Sequence, residues 1–154
     1  GDVLLFLHAD TRLPEGAVQR VALALDGSVG GGAPMWGRFD VCISGRSPWL
    51  VVVARMVNLR SRLSGIATGD QALFVRRTVF HACGGYPEQP LMEDIELCKR
   101  LKRRSAPACL RDQVITSGRR WESRGVWRTI VLMWRLRLAY WLGASAESIA
   151  KAYR

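Results

Sequence analysis

Polar residues that could bind a ligand follow directly on an apolar run near the start of the sequence. The run Val3–Leu7 is succeeded by His8 and Asp10. Ligands of open parallel sheets bind at the carboxyl ends of the strands, and Asp10 there could hold a divalent cation that holds the phosphates of a ligand. His8 could be a weaker metal ligand or a hydrogen-bond donor. Alternatively, Asp10 only caps the helix that follows or forms an Asx turn.

Two adjacent carboxylates, Glu93 and Asp94, stand after a proline-containing loop and at the start of a predicted helix. One carboxylate of such a pair can accept a proton from an attacking hydroxyl while the other positions it. Acids at this end of a helix and basic residues at its other end also simply complement the helix dipole. Spacing alone leaves both interpretations open.

A third group, Gly69, Asp70 and Gln71, stands at the start of a short predicted strand. Gly69 would allow an unusual backbone angle there. The carboxylate and the amide beside it could bind the hydroxyl groups of an acceptor. An ordinary turn of the same composition is the alternative.

The fourth group is Arg119, Arg120 and Trp121. The planar fork of arginine matches the oxygens of a diphosphate, and a tryptophan can stack on a sugar or line an acceptor site. The alternative is a solvated basic loop with one buried tryptophan.

Strand-like and helix-like segments alternate along the chain, which predicts a single α/β domain over residues 1–154 with C-terminal helices from about residue 124. An unbroken apolar run such as Val3–Leu7 is typical of a strand covered on both faces in a parallel sheet. The other predicted strands are Met35–Ile43, Ala72–Val75 and two pieces at Cys109–Leu110 and Val114–Thr116. The predicted helices are Pro14–Leu25, Pro48–Leu63, Thr78–Ala82, Glu93–Arg104, Gly125–Leu142 and Glu147–Tyr153, with a glycine-rich loop over 26–34.

Composition and charge limit the kinds of molecule that the protein is expected to bind. The 154 residues, 49% of them hydrophobic, are enough for one domain with a core. A formal net charge of +10 indicates an anionic partner, either a phosphate-bearing ligand, a nucleic acid or an anionic membrane surface. No nucleic-acid-binding motif is present, so nucleic acid is not expected as a partner. Four cysteines without a pairing pattern are typical of reduced thiols in a cytoplasmic protein.

The segment Gly125–Leu142 is too often interrupted by arginine to be a good membrane span. Two of these arginines, Arg128 and Arg135, are seven positions apart and therefore share a helical face. The aromatic residues that could accompany them at an interface are Trp127, Trp134, Tyr140 and Trp141. A peripheral membrane-binding module is therefore an alternative to an enzyme, and a core-packing helix with a basic outer stripe is the simpler structural explanation.

The order of these motifs is more specific than any one of them. FLHADTRLP, then GDQALFVRR, then GGYPEQPLMEDIELCKRLKR, then SGRRWESRGVWRT and a closing YWLGASAESIAKAYR resembles glycosyltransferase family 2. The closer resemblance is to the bacterial subgroup called transferase 2, associated with radical-SAM and selenodomain proteins. The resemblance extends over essentially all of the chain.

The resemblance implies a GT-A fold, which is the Rossmann-like fold of nucleotide-diphospho-sugar transferases. It also implies a nucleotide-sugar donor, a divalent metal such as Mg²⁺ or Mn²⁺, and inverting transfer to a hydroxyl acceptor. In the family pattern His8 and Asp10 occupy the DxD metal-binding position, and His8 replaces its first acid. Asp94 matches the catalytic base with Glu93 beside it. The arginines and tryptophan at 119–121 match a QxxRW-like element that here lacks its glutamine.

Family members place a nucleotide-binding βαβ half before the DxD strand, whereas this sequence begins within the approach to that strand. The resemblance therefore implies an N-terminally truncated fold with most of the nucleoside pocket missing. We expect little activity from the chain alone. We also expect an unpaired edge at Val3–Leu7 that could mediate homodimerisation.

Overall fold

The computed structural model describes residues 1–27 and 33–153, so most of the predicted glycine-rich loop lies outside the described residues. Within these ranges the chain is mixed α/β, with five strands in one sheet of order β1-β4-β3-β5-β2. The strands are β1 Val3–Phe6, β2 Thr11–Arg12, β3 Trp36–Ser44, β4 Leu73–Arg76 and β5 Ala108–Ser117. The helices are α1 Ala17–Leu25, α2 Trp49–Ser64, α3 Arg77–Ala82, α4 Glu93–Lys102, α5 Arg119–Arg124, α6 Val126–Trp141 and α7 Ala146–Tyr153, with a 3₁₀ turn at Gly69–Gln71.

The sheet is mixed rather than parallel, which corrects the expectation for the first strand. β1 lies at one edge and pairs antiparallel with β4, from Val3 opposite Arg76 to Phe6 opposite Leu73. Only β3 and β5 pair in parallel among the described strands. An apolar run predicts a strand but carries no information on the direction of its partner. The outer edge of β1 has no partner in the described part of the chain, so the prediction of a second copy there remains open.

Several boundaries differ from the prediction for local reasons. α1 begins at Ala17 rather than Pro14, because Gly16 adopts a left-handed conformation with φ 69° immediately before it. β5 is one strand where two pieces were expected, and a register shift opposite Phe39 and Asp40 accommodates its irregular middle. The two-residue strand β2 was not predicted, and its Thr11 lies opposite Thr116 of β5.

Helices cover both faces of the sheet. Alternate side chains of β4 pack into different core clusters, one on each face. Phe74 packs into a core cluster with α1 and α2, whereas Leu73 and Val75 pack into a second cluster with α4. A third, smaller cluster joins Met92, just before α4, to α6 and α7. The start of α4 is therefore held by packing against the C-terminal helices as well as the sheet.

The four cysteines are free thiols, as the sequence predicted. Cys98 is fully buried in the second cluster, and its Sγ accepts a hydrogen bond from the Ala67 N–H at 3.4 Å. Burial raises the pKa of the Cys98 thiol to about 12, which keeps it protonated at neutral pH.

A side-chain amide connects α2 to the sheet and to the 3₁₀ turn. Asn58 Oδ1 accepts a hydrogen bond from the Val41 N–H at 2.8 Å, and Asn58 Nδ2 donates to the Val41 carbonyl at 3.0 Å. Gln71 Nε2 in turn donates to Asn58 Oδ1 at 3.3 Å and to Ser61 Oγ at 3.0 Å. We call Val41, Asn58 and Gln71 the amide clamp, because together they fix α2, β3 and the 3₁₀ turn to one another.

The clamp predicts a large effect of Asn58→Ala on stability. The substitution leaves both backbone groups of Val41 and the amide of Gln71 without their partner, at a cost of roughly 2–4 kcal/mol in the free energy of unfolding. Urea denaturation followed by circular dichroism measures this loss. Gln19→Ala, which removes an exposed amide on α1, is the matched control and should change stability by less than about 0.5 kcal/mol. Equal losses in the two variants would contradict the role of the clamp.

Candidate functional site

A cleft of about 460 Å³ opens where β1 ends. Four of the residues singled out from the sequence line it, namely His8, Gly69, Glu93 and Asp94. They come from the end of β1, the 3₁₀ turn and the first turn of α4. Apolar side chains of β1 and the ring of Tyr86 form the rest of the wall, and burial raises the pKa of the Tyr86 hydroxyl. The cleft is thus an acidic pocket with apolar walls.

Asp94 bridges α4 and the 3₁₀ turn. Its Oδ1 accepts a hydrogen bond from the Ile95 N–H at 2.7 Å, and its Oδ2 accepts one from the Gly69 N–H at 3.1 Å. Burial raises the pKa of Asp94 and the neighbouring Glu93 charge adds to this effect, while the two N–H donors and the Arg137 guanidinium oppose it. A carboxylate whose pKa is moved toward neutrality is better suited to accept a proton from a hydroxyl.

His8, which lines the cleft, pairs with Asp70 of the 3₁₀ turn. Its Nδ1 lies 3.3 Å from Asp70 Oδ1. This hydrogen bond raises the pKa of His8, partial burial lowers it, and the charges of Asp70, Asp10 and Asp94 raise it further. About half of the Asp70 side chain is exposed, which leaves a carboxylate oxygen accessible to the hydroxyl of a ligand.

Gly69 is required for space rather than for an unusual backbone angle. Its φ is not positive, unlike that of the left-handed glycines among the described residues. The prediction of an unusual backbone angle at Gly69 is therefore wrong. A Cβ at Gly69 would lie 2.0 Å from His8 Nε2, closer than any real contact. The absence of a side chain therefore lets the imidazole lie against the 3₁₀ turn.

Asp10 lines a second depression, of about 340 Å³, on the other side of the His8–Asp10 turn. Arg119 and Ser117 line it too, and Arg119 Nε donates a hydrogen bond to Ser117 Oγ at 3.1 Å. Asp10 is predicted to bind a metal and Arg119 to bind a diphosphate. The two residues thus line the same depression. The two predicted metal ligands, His8 and Asp10, line different ones.

Of the two predicted metal ligands, Asp10 has the surroundings that are more compatible with an ion, although Arg12 and Arg119 line the same depression. Within residues 1–27 and 33–153 no group of three or more histidine, cysteine, aspartate or glutamate side chains could hold an ion. His8 is turned to Asp70, whereas Asp10 offers a carboxylate beside the hydroxyl groups of its depression. Mg²⁺ commonly uses one or two protein carboxylates and takes its other ligands from water and substrate phosphates. Asp10 is therefore the residue that would hold such an ion.

Three other predicted site residues lie elsewhere. Gln71 is fully buried and its amide is used by the amide clamp and by the Thr68 N–H, so it does not reach an acceptor. The Arg120 guanidinium lies over the ring of Tyr153 at 4.4 Å from its centre. Trp121 is partly buried against the first core cluster, and its segment is the helix α5 rather than the loop of the alternative interpretation.

Two arginines near Asp94 were not anticipated. Arg60 of α2 and Arg137 of α6 are both largely desolvated, which lowers the pKa of Arg137 and brings that of Arg60 to about 10, while the Asp94 charge raises both. Arg60 Nε and Nη2 are buried and have no hydrogen-bond partner among the described residues. In the sequence these arginines interrupt apolar helices and look like parts of an outer basic stripe. That interruption is the only signal that could have identified them.

Strained backbone lies on both sides of the cleft. Ala72, directly after the 3₁₀ turn, has φ 47°, and Met92, directly before Glu93, has φ 66°. A left-handed conformation costs a residue other than glycine about 1–3 kcal/mol, and such residues occur preferentially at functional sites. Both residues are buried, so packing supports the strained conformation.

Comparisons with protein-family models, with curated proteins and with solved structures gave no match for this chain. The residues of the cleft and their chemistry are therefore the basis on which its function is inferred.

The space at Gly69 predicts a coupled pair of substitutions. Gly69→Ala should lower stability because the new methyl group displaces the His8 imidazole and its contact with Asp70. In a His8→Ala background the same substitution should be nearly neutral, since the ring is gone. A double-mutant cycle by urea denaturation measures the coupling, expected at about 1 kcal/mol. Additive effects would show that His8 does not occupy this space.

The raised pKa of Asp94 predicts how Asp94→Asn changes stability with pH. Because the folded-state pKa lies above the unfolded value, ionisation of Asp94 weakens the fold as pH rises through this interval. The melting temperature of the variant minus that of the parent should therefore be more positive at pH 7 than at pH 3.5. A hydrogen bond lost on substitution changes the difference in melting temperature by the same amount at both pH values. Glu88→Gln, which makes the same acid-to-amide change at an exposed position, is the matched control. A difference for Asp94→Asn that falls as pH rises would contradict the assignment.

Proposed function

We propose that the chain carries the acceptor and metal side of a glycosyltransferase that uses a nucleotide-diphospho-sugar. The observation that carries the proposal is the meeting of His8, Gly69, Glu93 and Asp94 in one cleft. These residues are distant in sequence, and the resemblance implies that they act together. The adjacent depression with Asp10 and Arg119 supports it, because a leaving diphosphate needs cationic partners.

Asp94 is the general base in this proposal. It accepts the proton of the acceptor hydroxyl as the hydroxyl oxygen forms a bond to the anomeric carbon and the bond from that carbon to the diphosphate oxygen breaks. Burial and the Glu93 charge favour its protonated form, which makes it a stronger base than an exposed aspartate. Asp70, held by His8, is placed to orient further hydroxyl groups of the acceptor.

Asp10 and Arg119 act on the departing diphosphate. A divalent ion at Asp10 supplies charge neutralisation when bound. Arg119 contributes a guanidinium whose Nε is already oriented by Ser117 and whose terminal N–H groups can meet phosphate oxygens. No described residue is assigned a nucleoside contact, so activity is to be tested on the protein at its full natural length.

The test of this proposal is the release of nucleoside diphosphate from a panel of nucleotide sugars, with Mg²⁺ or Mn²⁺ and with lipid and water-soluble hydroxyl acceptors. Asp94→Asn should lower turnover about 10²–10⁴-fold, because a general base contributes that much, while binding of the nucleotide sugar stays nearly unchanged. Glu88→Gln makes the same acid-to-amide change at an exposed position and should keep full activity. Full activity of Asp94→Asn, or no turnover of any donor by the parent protein, would overturn the proposal.

A further inference from the structure

α6 presents an exposed apolar stripe that no other described element covers. Its residues recur every three or four positions and therefore share one helical face. They are Trp127, Val131, Trp134, Leu138 and Trp141, all exposed. Trp134 is 65% exposed and Trp141 is 82% exposed, although tryptophan is normally well buried in folded proteins. Tyr140, which was expected at this surface, packs instead in the third core cluster.

α2 carries a second stripe of the same kind. Its members also recur every three or four positions, and they are Trp49, Val52, Met56, Leu59 and Leu63, all exposed. Leu63 is 79% exposed. The opposite side of the helix packs through Leu50, Val53 and Ala54 into the first core cluster. α2 is thus apolar on both its inner and its outer side.

The two stripes meet at their first residues. The Trp49 and Trp127 rings, at the beginnings of the two helices, meet edge to face with their centres 4.9 Å apart. The two helices therefore approach each other at their first residues. We call the ten exposed apolar residues of the two stripes the tryptophan face.

Arginines at the margin of the tryptophan face indicate what it contacts. Arg128 and Arg135 each follow a tryptophan of the stripe by one position, and Arg55 lies beside the α2 stripe; all three are exposed. A second copy of this chain would bring like charges together, on a protein whose formal net charge is already +10. An anionic lipid surface complements both features, since tryptophan rings favour the boundary between headgroups and acyl chains and arginines bind lipid phosphates.

Insertion is shallow in this arrangement. In the described ranges no helix is long and apolar enough to cross a bilayer. An amphipathic helix that lies in the plane of the membrane buries only its apolar face, to the depth of the headgroup boundary. The tryptophan face has this form, with its apolar residues on one side of each helix and the core on the other.

We propose that α2 and α6 dock the protein on an anionic phospholipid bilayer, with the tryptophan face at the acyl boundary and Arg55, Arg128 and Arg135 at the headgroups. The proposal rests on the exposed surface alone and is independent of glycosyl transfer. Each arginine near an anionic surface strengthens binding about fivefold, and each inserted tryptophan strengthens it about tenfold.

The experiment is flotation of the whole protein with vesicles of phosphatidylcholine containing about one third phosphatidylglycerol, and with vesicles of phosphatidylcholine alone, at physiological salt. The parent protein should float with the anionic vesicles. The Trp134→Ala/Trp141→Ala variant should bind them at least tenfold more weakly. The Arg128→Gln/Arg135→Gln variant should lose at least tenfold on anionic vesicles and little on neutral ones, because only the former carry the complementary charge.

A matched control is Val18→Ala/Leu23→Ala, which removes exposed apolar side chains from α1, outside the tryptophan face. It should float like the parent. All variants should keep the parent's urea midpoint, because the substituted side chains are exposed in the fold. Failure of the parent to float, equal loss in the α1 control, or sedimentation showing a dimer that only the tryptophan variant dissociates would overturn the proposal. The last result would assign the face to a second copy of the chain.

Discussion

The fold and the candidate site both depend on the amide of Asn58. β4 pairs with β3 only at Trp36 and Gly37, so the remaining length of β3 lacks a strand on that side. The Asn58 side chain bonds the N–H and the carbonyl of Val41 and so takes the place of that strand. Backbone N–H and C=O groups are costly to bury without a hydrogen-bond partner. The Asn58 amide removes this cost at Val41. It also holds Gln71, and through the 3₁₀ turn it sets where the Gly69 N–H meets Asp94. One helical side chain thus helps to position the turn whose N–H bonds the carboxylate proposed as the base.

Several groups of the cleft are in unfavourable environments that only the surrounding structure maintains. Asp94 is desolvated as a carboxylate, and Arg60 holds buried N–H groups without partners among the described residues. Ala72 and Met92 keep left-handed backbones on either side. Unfavourable environments of this kind lower the free energy of unfolding. They are retained where a site has to be held in one geometry. The rest of the described structure, with its clusters on both faces of the sheet, provides the compensating stability.

Periodicity in the sequence was sufficient to predict the longer elements but not their arrangement. α2, α4 and α6 were expected to within three residues at each end, α2 from the start signal at Pro48 despite its mixed apolar spacing. The antiparallel pairing of β1 could not be predicted, since a run of apolar residues is the same in either direction. The same limit applies to single side chains. The burial of Gln71 and the packing of Trp121 against the first core cluster depend on residues of other elements, and nothing in their local sequence separates them from ligand-binding residues.

The position of β5 within the sheet has a consequence for the order in which the protein folds. β5 lies between β3 and β2, yet it is the last strand of the described chain. Ser44 bonds a residue of β5 that is 72 positions away, and Thr11 bonds one that is 105 positions away. A nascent chain therefore cannot complete the sheet until β5 has left the ribosome, and contacts this distant in sequence slow folding. Until then the edge of β3 that β5 covers in the finished sheet has no partner among the described strands.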